Sequence, residues 1–211
     1  MATTTLRELN GFDETPASLA AATLILVDYQ NTYVGGVMEL TGWRAALDSA
    51  AALLGRAREA GAKVIHVIHD GGAGTPYDIR TETGRIHPSV APVEGEPVVV
   101  KTAPNAFVGT DLGEHVDAAG HKDVIIAGFM THMCVTFTAE GAFLRGNRPT
   151  VVADACATRP LRSAGTGAGT GAGTEVAPEA GIELSADQIH HSALATISDL
   201  YGVVVASGNR L

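Results

Sequence analysis

The sequence predicts an α/β fold in which a mostly parallel sheet of six strands is covered by helices on both faces. Short, unbroken apolar runs such as Thr23–Val27 and Val124–Ala127 are typical of strands that are buried on both faces. Segments with apolar residues at helical spacing alternate with these runs, and such alternation is typical of a parallel sheet. These two observations together predict the fold class.

Each element has its own signal in the sequence. The first strand, Thr23–Val27, is a continuous apolar run that ends at Asp28. Gly61 is the expected cap of a helix over Trp43–Ala60, and Ser185 is the expected N-cap of the last helix. Further strands are predicted over Lys63–His69, Pro97–Lys101, Val124–Ala127, Thr150–Ala153 and Tyr201–Ala206, and further helices over Asp111–Ala119, Thr131–Leu144 and Ser185–Leu200.

Three stretches of the chain lack such signals. The sequence predicts an irregular N-terminal arm over residues 1–22 and a single domain over residues 23–211. Asp70–Pro97 is rich in Gly and Pro, and loops of that length in a compact domain are usually functional. Ser163–Thr174 is a Gly/Thr-rich repeat that cannot bury enough apolar area to order itself. It is either a flexible loop near the mouth of a site or a tolerated insertion.

Composition narrows the class of protein and of partner. A chain of 211 residues with 45% hydrophobic and 18% charged residues is typical of a globular protein with one core. The formal net charge of −9, without a long basic run, argues against nucleic acid or an anionic membrane as a partner. No apolar stretch approaches the ~20 residues of a membrane span. Because two cysteines do not make a disulfide scaffold, we expect reduced thiols and a cytoplasmic location.

Reactive side chains follow three of the predicted strands. Asp28 ends the first strand, Lys101 ends the third, and the fourth runs into the loop before Cys134. In parallel sheets the functional groups collect outside the carboxyl ends of the strands. We therefore expect an acid, a lysine and a thiol to meet at one edge of the sheet.

Cys134 lies in the first turn of a predicted helix that follows a buried strand. The free N–H groups of a helix N-terminus, together with a lysine, lower the pKa of a thiol and favour the nucleophilic thiolate. The same N–H groups can hold the oxyanion of a tetrahedral intermediate. The alternative is a buried structural cysteine, because free cysteine is among the most buried residue types.

Four motifs resemble the isochorismatase-like cysteine hydrolases, a family that includes nicotinamidases and carbamoylsarcosine amidohydrolases. They occur in the expected order and the resemblance covers roughly residues 20 to 206. The matching stretches are Asp28–Asn31, Lys101 with Asn105–Phe107, Gly128–Val135 and Asp154–Thr158.

The resemblance implies a three-layer α/β/α sandwich with an Asp/Lys/Cys triad, which corresponds here to Asp28, Lys101 and Cys134. It also implies a cis peptide bond before Met130, so that the N–H groups of Met130 and Cys134 form the oxyanion hole. Family members are usually oligomers, and we expect a homodimer or a homotetramer.

Two departures from family patterns narrow the activity. Isochorismatase itself lacks the nucleophilic cysteine, so the presence of Cys134 favours hydrolysis of an amide or related C–N bond. Nicotinamidases carry a metal-binding Asp-x-His after the second strand, whereas here Gly72 stands where histidine is needed. His66 and His69 point to opposite faces of a strand and cannot bind one metal together. We therefore predict no metal and no cofactor.

Five further residues are candidates for contact with a small-molecule amide substrate. Tyr33 lies in the loop after the first strand, where loops build the site. His69 lies at the carboxyl end of the second strand and could reach the site, and Asn105 belongs to the motif that follows Lys101. Two residues have a structural alternative: Phe107 as core and His132 as a solvated side chain.

The sequence thus favours a cysteine amidohydrolase that opens an amide or lactam through an acyl-thioester. The loop from Asp70 to Pro92 resembles a subgroup that opens the lactam of streptothricin-type antibiotics. The alternatives are hydrolysis of ureido or carbamoyl compounds, a nicotinamidase-like activity, or a non-catalytic binding protein on the same fold. The net negative charge of the chain would suit a cationic substrate.

Overall fold

A sheet of six strands, all of them parallel to their neighbours, forms the centre of the molecule. The computed structural model describes residues 3–163 and 181–211. The strands of this sheet are β1 (Ala22–Val27), β2 (Lys63–His69), β3 (Val98–Lys101), β4 (Asp123–Gly128), β5 (Arg148–Val152) and β8 (Val203–Val205), while β6 and β7 form a separate ribbon. The order of the strands is β3-β2-β1-β4-β5-β8, so the chain moves outward from β1 in one direction and then in the other.

Helices cover both faces of this sheet. The helices are α1 (Leu6–Asn10), α2 (Trp43–Glu59), α3 (Leu112–Ala119), α4 (Thr136–Leu144) and α5 (Ala186–Thr196). The longest is α2, and its apolar side packs with Leu24 and Leu26 of β1 on one face. On the other face α3 and α4 pack against Ile25 and Ile126. The predicted three-layer α/β/α sandwich is confirmed.

The close packing of β1 and β4 depends on Gly128 at the end of β4. Gly128 is paired with Val27, and a Cβ at this position would lie 2.2 Å from the Val27 carbonyl oxygen. The side chains that follow these two strands are consequently held close together, on either side of the point where the strand order reverses.

Some local expectations were wrong. The N-terminal arm is not irregular throughout, because Leu6–Asn10 forms a helix with Thr5 as its N-cap in a capping box with Glu8. The fifth strand begins two residues earlier than predicted, at Arg148, and ends at Val152.

Further differences concern short elements. The predicted helix over Thr131–Leu144 begins with a π-helical turn over Thr131–Val135. A two-stranded antiparallel ribbon, β6 (Leu161–Arg162) with β7 (Glu183–Leu184), has no counterpart in the prediction. Most of the predicted Gly/Thr-rich insertion, 163–174, lies outside the described residues. None of the helices in the described ranges is long and apolar enough to cross a membrane.

Candidate active site

Asp28 follows β1 directly and is fully buried. Its backbone has a φ of 55°, in the left-handed region that residues other than glycine rarely adopt. The Asp28 N–H donates to the Val67 carbonyl of β2, and the Asp28 carbonyl accepts from the Gln30 N–H. These bonds turn the chain sharply and direct the carboxylate across the sheet edge.

Lys101 reaches Asp28 from two strands away. β3 and β1 both flank β2, and neighbouring strands lie about 4.8 Å apart, so a long side chain is needed to span the gap. Lys101 Nζ lies 2.8 Å from Asp28 Oδ2 and 3.3 Å from Cys134 Sγ, to which it donates. The structure therefore brings together the acid, the lysine and the thiol that the sequence places at three strand ends.

Cys134 is carried by the π-helical turn that joins β4 to α4. The turn is held by the Thr136 hydroxyl, which donates to the Thr131 carbonyl at 2.7 Å. Cys134 retains 6% exposure, whereas Asp28 and Lys101 have none. Of the three side chains, Cys134 is therefore the one that a small molecule reaches first.

The peptide bond between Phe129 and Met130 is cis. Within the described residues, the Met130 N–H has no hydrogen-bond partner, although the carbonyl of Met130 accepts from Met133 and Val135. An unpaired N–H four residues before a thiol is the kind of donor that an oxyanion needs.

Burial governs the protonation of this cluster. Burial raises the pKa of Asp28, against the opposing effects of the Lys101 charge and of hydrogen bonds from Cys134 and Lys101. Burial and the charge of Asp28 raise the pKa of Cys134 to about 12, and Lys101 offsets only part of this. Burial alone would lower the pKa of Lys101, but Asp28 and Cys134 outweigh it and raise that pKa.

The expectation of a lowered thiol pKa was therefore wrong for the resting protein. It rested on the helix N-terminus and on Lys101, and it left out the desolvation that comes with burial. The resting cluster contains a neutral thiol beside a carboxylate that burial makes a stronger base than usual.

Two of the five predicted contact residues lie beside this cluster. His69 Nδ1 is 3.5 Å from Lys101 Nζ. Tyr33 is 1% exposed, and burial together with the negative charges of Asp28 and Cys134 raises the pKa of its phenol. Both side chains therefore border the space next to the thiol.

The other three predicted contact residues have hydrogen-bond or packing partners outside the cluster. The Asn105 amide accepts from the Phe107 N–H at 2.9 Å and packs against Gly141 of α4, where a Cβ would meet Oδ1 at 2.5 Å. The Phe107 ring lies under the Arg145 guanidinium, 5.4 Å from ring centroid to Cζ. His132 is half-buried, and its Nδ1 lies 2.5 Å from the hydroxyl of Thr158.

Sequence reasoning missed two residues that shape the site. Tyr77 stands edge-on to His69, with ring centroids 5.2 Å apart, and packs against Tyr33 at 5.8 Å. Gln30 is buried and bonds to both the N–H and the carbonyl of His69. Tyr77 belongs to the long loop whose sequence carries no periodicity, whereas Gln30 belongs to the motif after β1, which was the available signal.

The histidines of β2 have separate surroundings. His66 is buried, and its Nε2 lies 2.9 Å from Glu96 Oε2. Asp70 is engaged by Arg80 through both oxygens, at 3.0 and 3.1 Å, and by the Gly72 N–H. The described ranges contain no group of three or more His, Cys, Asp or Glu residues placed to hold a metal ion.

Comparison with known proteins identifies the family of the chain. The isochorismatase domain model matches residues 22–175, nearly three quarters of the chain. The chain belongs to the isochorismatase family. An uncharacterised isochorismatase family protein of Bacillus subtilis is 35% identical over 184 residues, 86% of this chain and 93% of its own length. A crystal structure of an isochorismatase from Pseudomonas putida superposes with a TM-score of 0.87 at 36% identity, over the whole of both chains.

Two relatives of the isochorismatase family are named for hydrolysis of particular compounds. A streptothricin hydrolase of Streptomyces noursei is 37% identical over 141 residues, 67% of this chain and 51% of its own length. A maleamate amidohydrolase of Pseudomonas putida is 30% identical over 172 residues, 71% of this chain and 75% of its own length. The resemblance inferred from the motifs is confirmed, and the chain is an isochorismatase-family hydrolase related to amidases.

Proposed function

We propose that the chain is a cysteine-dependent amidohydrolase that cleaves an amide or lactam C–N bond of a small molecule. The observation that carries the proposal is the approach of Lys101 Nζ to both Asp28 Oδ2 and Cys134 Sγ, at 2.8 and 3.3 Å. A buried acid, a cation and a thiol in mutual contact have the roles that acyl transfer requires.

In the first step the Cys134 sulfur attacks the amide carbon while Asp28 accepts the thiol proton. Asp28 is suited to this because burial raises its pKa, which makes its carboxylate a stronger base. A C–S bond forms, and the carbonyl electrons move onto oxygen. The N–H groups of Met130 and Cys134 would stabilise the oxyanion, and such a donor is typically worth ~10²–10³ in rate.

In the second half of the cycle the C–N bond breaks and Asp28 gives its proton to the leaving amine. Water then attacks the acyl-thioester, which releases the carboxylic acid and restores the thiol. Lys101 keeps the Asp28 carboxylate oriented and compensates its charge at a position where neither side chain is exposed to solvent.

The acyl group is the open part of this proposal. The name of the streptothricin hydrolase supports a lactam of the streptothricin type, and that of the maleamate amidohydrolase supports a small primary amide. The ureido substrates considered above would need several fixed polar groups around the thiol. The Asn105 amide, which the sequence placed there, instead accepts from the Phe107 N–H and packs against Gly141 of α4.

Replacing Cys134 by alanine tests the proposed function. We expect loss of ammonia release from maleamate, nicotinamide and a ureido compound, and loss of ring opening of a streptothricin-type lactam, whose amine stays on the opened molecule. The circular dichroism spectrum should be unchanged. Cys156→Ala is the matched control, because Cys156 is equally buried but donates only to the Val152 carbonyl. Turnover that survives Cys134→Ala would refute the proposed mechanism.

A further inference from the structure

The π-helical turn that carries Cys134 is anchored through its first residue, Thr131, which is fully buried. The Thr131 N–H donates to the carbonyl of Ala157, after β5, at 3.0 Å. The Thr131 carbonyl accepts from the hydroxyl of Thr136, at the start of α4, at 2.7 Å. The Thr131 hydroxyl lies 2.9 Å from Nδ1 of His190 on α5. Each polar group of Thr131 is therefore engaged by a different part of the fold.

Helix α5 brings His190 to the turn in a fixed position. Its N-terminus is closed by a capping box, in which the side chains of Ser185 and Gln188 each accept from the backbone N–H of the other. Leu194 lies four residues after His190, on the same face of the helix, and is buried in the same apolar cluster as Cys134. The face of α5 that presents His190 is thus packed against the thiol-bearing region.

Two adjacent histidines of α5 have different surroundings. His190 is half-buried, whereas His191 is exposed and its Nε2 lies 3.4 Å from Asp187 Oδ1. Burial, and then the charge of His191, lower the pKa of His190, and Asp187 opposes them. A lowered pKa favours the neutral imidazole, which has one nitrogen that can accept a proton from the Thr131 hydroxyl.

We propose that His190 is a positioning residue, which holds Thr131 so that the π-helical turn keeps the Cys134 sulfur beside Lys101. The catalytic consequence rests on the proposed function, whereas the hold on the turn does not. Thr131 precedes Cys134 by three residues in one short turn, so a shift of Thr131 moves the thiol. The Lys101 Nζ to Sγ distance of 3.3 Å would change with it, and small displacements of a reacting group are costly in rate.

Replacing His190 by alanine tests the catalytic consequence. We expect kcat to fall roughly 10–100-fold with little change in KM, measured on the amide of the panel above that the wild type cleaves fastest. His191→Ala, the matched control on the same helix, should behave as the wild type. His190→Asn keeps a polar atom near the position of Nδ1 and should recover part of kcat. An equal loss in His191→Ala, or a loss confined to KM, would overturn the inference.

A double-mutant cycle tests whether His190 acts through Thr131. Thr131→Val removes the hydroxyl and nearly keeps the shape of the side chain, whereas Thr131→Ser keeps the hydroxyl. We expect Thr131→Val to lower kcat as much as His190→Ala does, and Thr131→Ser to lower it less. The double variant Thr131→Val, His190→Ala should be no slower than either single variant. Losses that add in the double variant would show that the two residues act independently.

Hydrogen exchange of the turn is a readout that does not depend on turnover. The N–H groups of Met133 and Val135 donate to the Met130 carbonyl, so their exchange rates report how often the turn opens. We expect faster exchange in a peptide over residues 129–135 of His190→Ala, measured by mass spectrometry. The same peptide in His191→Ala, and the β4 peptide in both variants, should exchange as in the wild type.

The two readouts separate failure of the inference from failure of the proposed function. If the wild type cleaves an amide and exchange in the turn does not depend on His190, the inference is wrong and the proposed function stands. Faster exchange with an unchanged kcat would overturn the positioning role as well. If exchange depends on His190 but the wild type cleaves no amide of the panel, the hold on the turn stands and the proposed function fails.

Discussion

At the scale of single residues, the proposed chemistry depends on a thiol and a carboxylate that share one buried lysine. Burial raises the pKa of both Cys134 and Asp28, so we expect the resting thiol to keep its proton and the carboxylate to accept it during the reaction. In the proposed mechanism the nucleophile is formed only when the substrate is in place and is not held as a free thiolate beforehand. We expect reactions of the sulfur with other electrophiles to be correspondingly slow in the resting protein.

The opposite charges of Asp28 and Lys101 give opposite predictions for thiol reactivity. Asp28→Asn removes a negative charge that raises the pKa of Cys134, so alkylation by iodoacetamide at pH 8 should become faster while amide hydrolysis falls by ~10²–10⁴. Lys101→Met removes a cation that lowers this pKa, so alkylation should become slower.

The wild-type protein provides the reference for both variants. With a thiol pKa of about 12, its alkylation rate should still rise roughly tenfold per pH unit at pH 9. A plateau below pH 8 in the wild type, or slower alkylation in Asp28→Asn, would contradict this account of the cluster.

At the scale of elements, the loop after β2 is organised by its own carboxylates. Asp78 accepts from the Gly74 N–H and pairs with Arg80 at 2.6 Å, and Asp70 pairs with the same arginine. The fold of this loop places Tyr77 next to His69. A stretch that is rich in Gly and Pro and shows no periodicity thus builds one wall of the candidate site.

The same loop gives a prediction about metals. The oxygens of Asp70 are engaged by Arg80 and by the Gly72 N–H, and Gly72 has no side chain to offer. We therefore expect amide hydrolysis to continue unchanged after dialysis against EDTA, measured by ammonia release. Loss of activity that added Zn²⁺ or Mn²⁺ restores would show that a metal takes part and that the second-strand histidines were misinterpreted.

At the scale of the whole molecule, one partly buried cluster joins three parts of the chain. Glu96, in the loop before β3, accepts from Arg58 of α2 at 2.8 Å through each oxygen and contacts His66 of β2 at 2.9 Å. Burial alone would raise the pKa of Glu96, but hydrogen bonds from Arg58, the Val93 N–H and His66 lower it to about 2. Burial lowers the pKa of His66, so the folded protein prefers its neutral form.

This cluster predicts how stability depends on pH. Because the folded pKa of Glu96 is depressed from 4.5, its contribution is complete above pH 4.5 and is lost as the pH falls towards 2. Glu96→Gln should lower the free energy of unfolding at pH 7 by about 1–3 kcal/mol, and the difference from wild type should shrink below pH 4.5. Urea titrations at several pH values measure this.

Glu82→Gln is the matched control for the stability measurement. It makes the same substitution in an exposed pair with Arg85, where ion pairs contribute little. If Glu82→Gln and Glu96→Gln cost the same, or if the cost of Glu96→Gln is undiminished at pH 3, the assigned role of this cluster is wrong. The homodimer or homotetramer and the cytoplasmic location stay predictions.

The layered fold, the order of the six sheet strands and the family could all be predicted from the sequence. Buried parallel strands need unbroken apolar runs, and the helices that cover them need one apolar side, so both patterns are local and can be read along the chain. The positions of Asp28, Lys101 and Cys134 at strand ends also follow from this, because parallel strands share a carboxyl edge.

The pKa values and contacts of these groups depend on tertiary packing. The raised pKa of Cys134 comes from burial by distant segments, which no local pattern contains. The same holds for the placement of Tyr77 against His69 and for the internal contacts of Asn105. Each depends on the distance between parts of the chain that are far apart in sequence, and the packed sheet sets those distances.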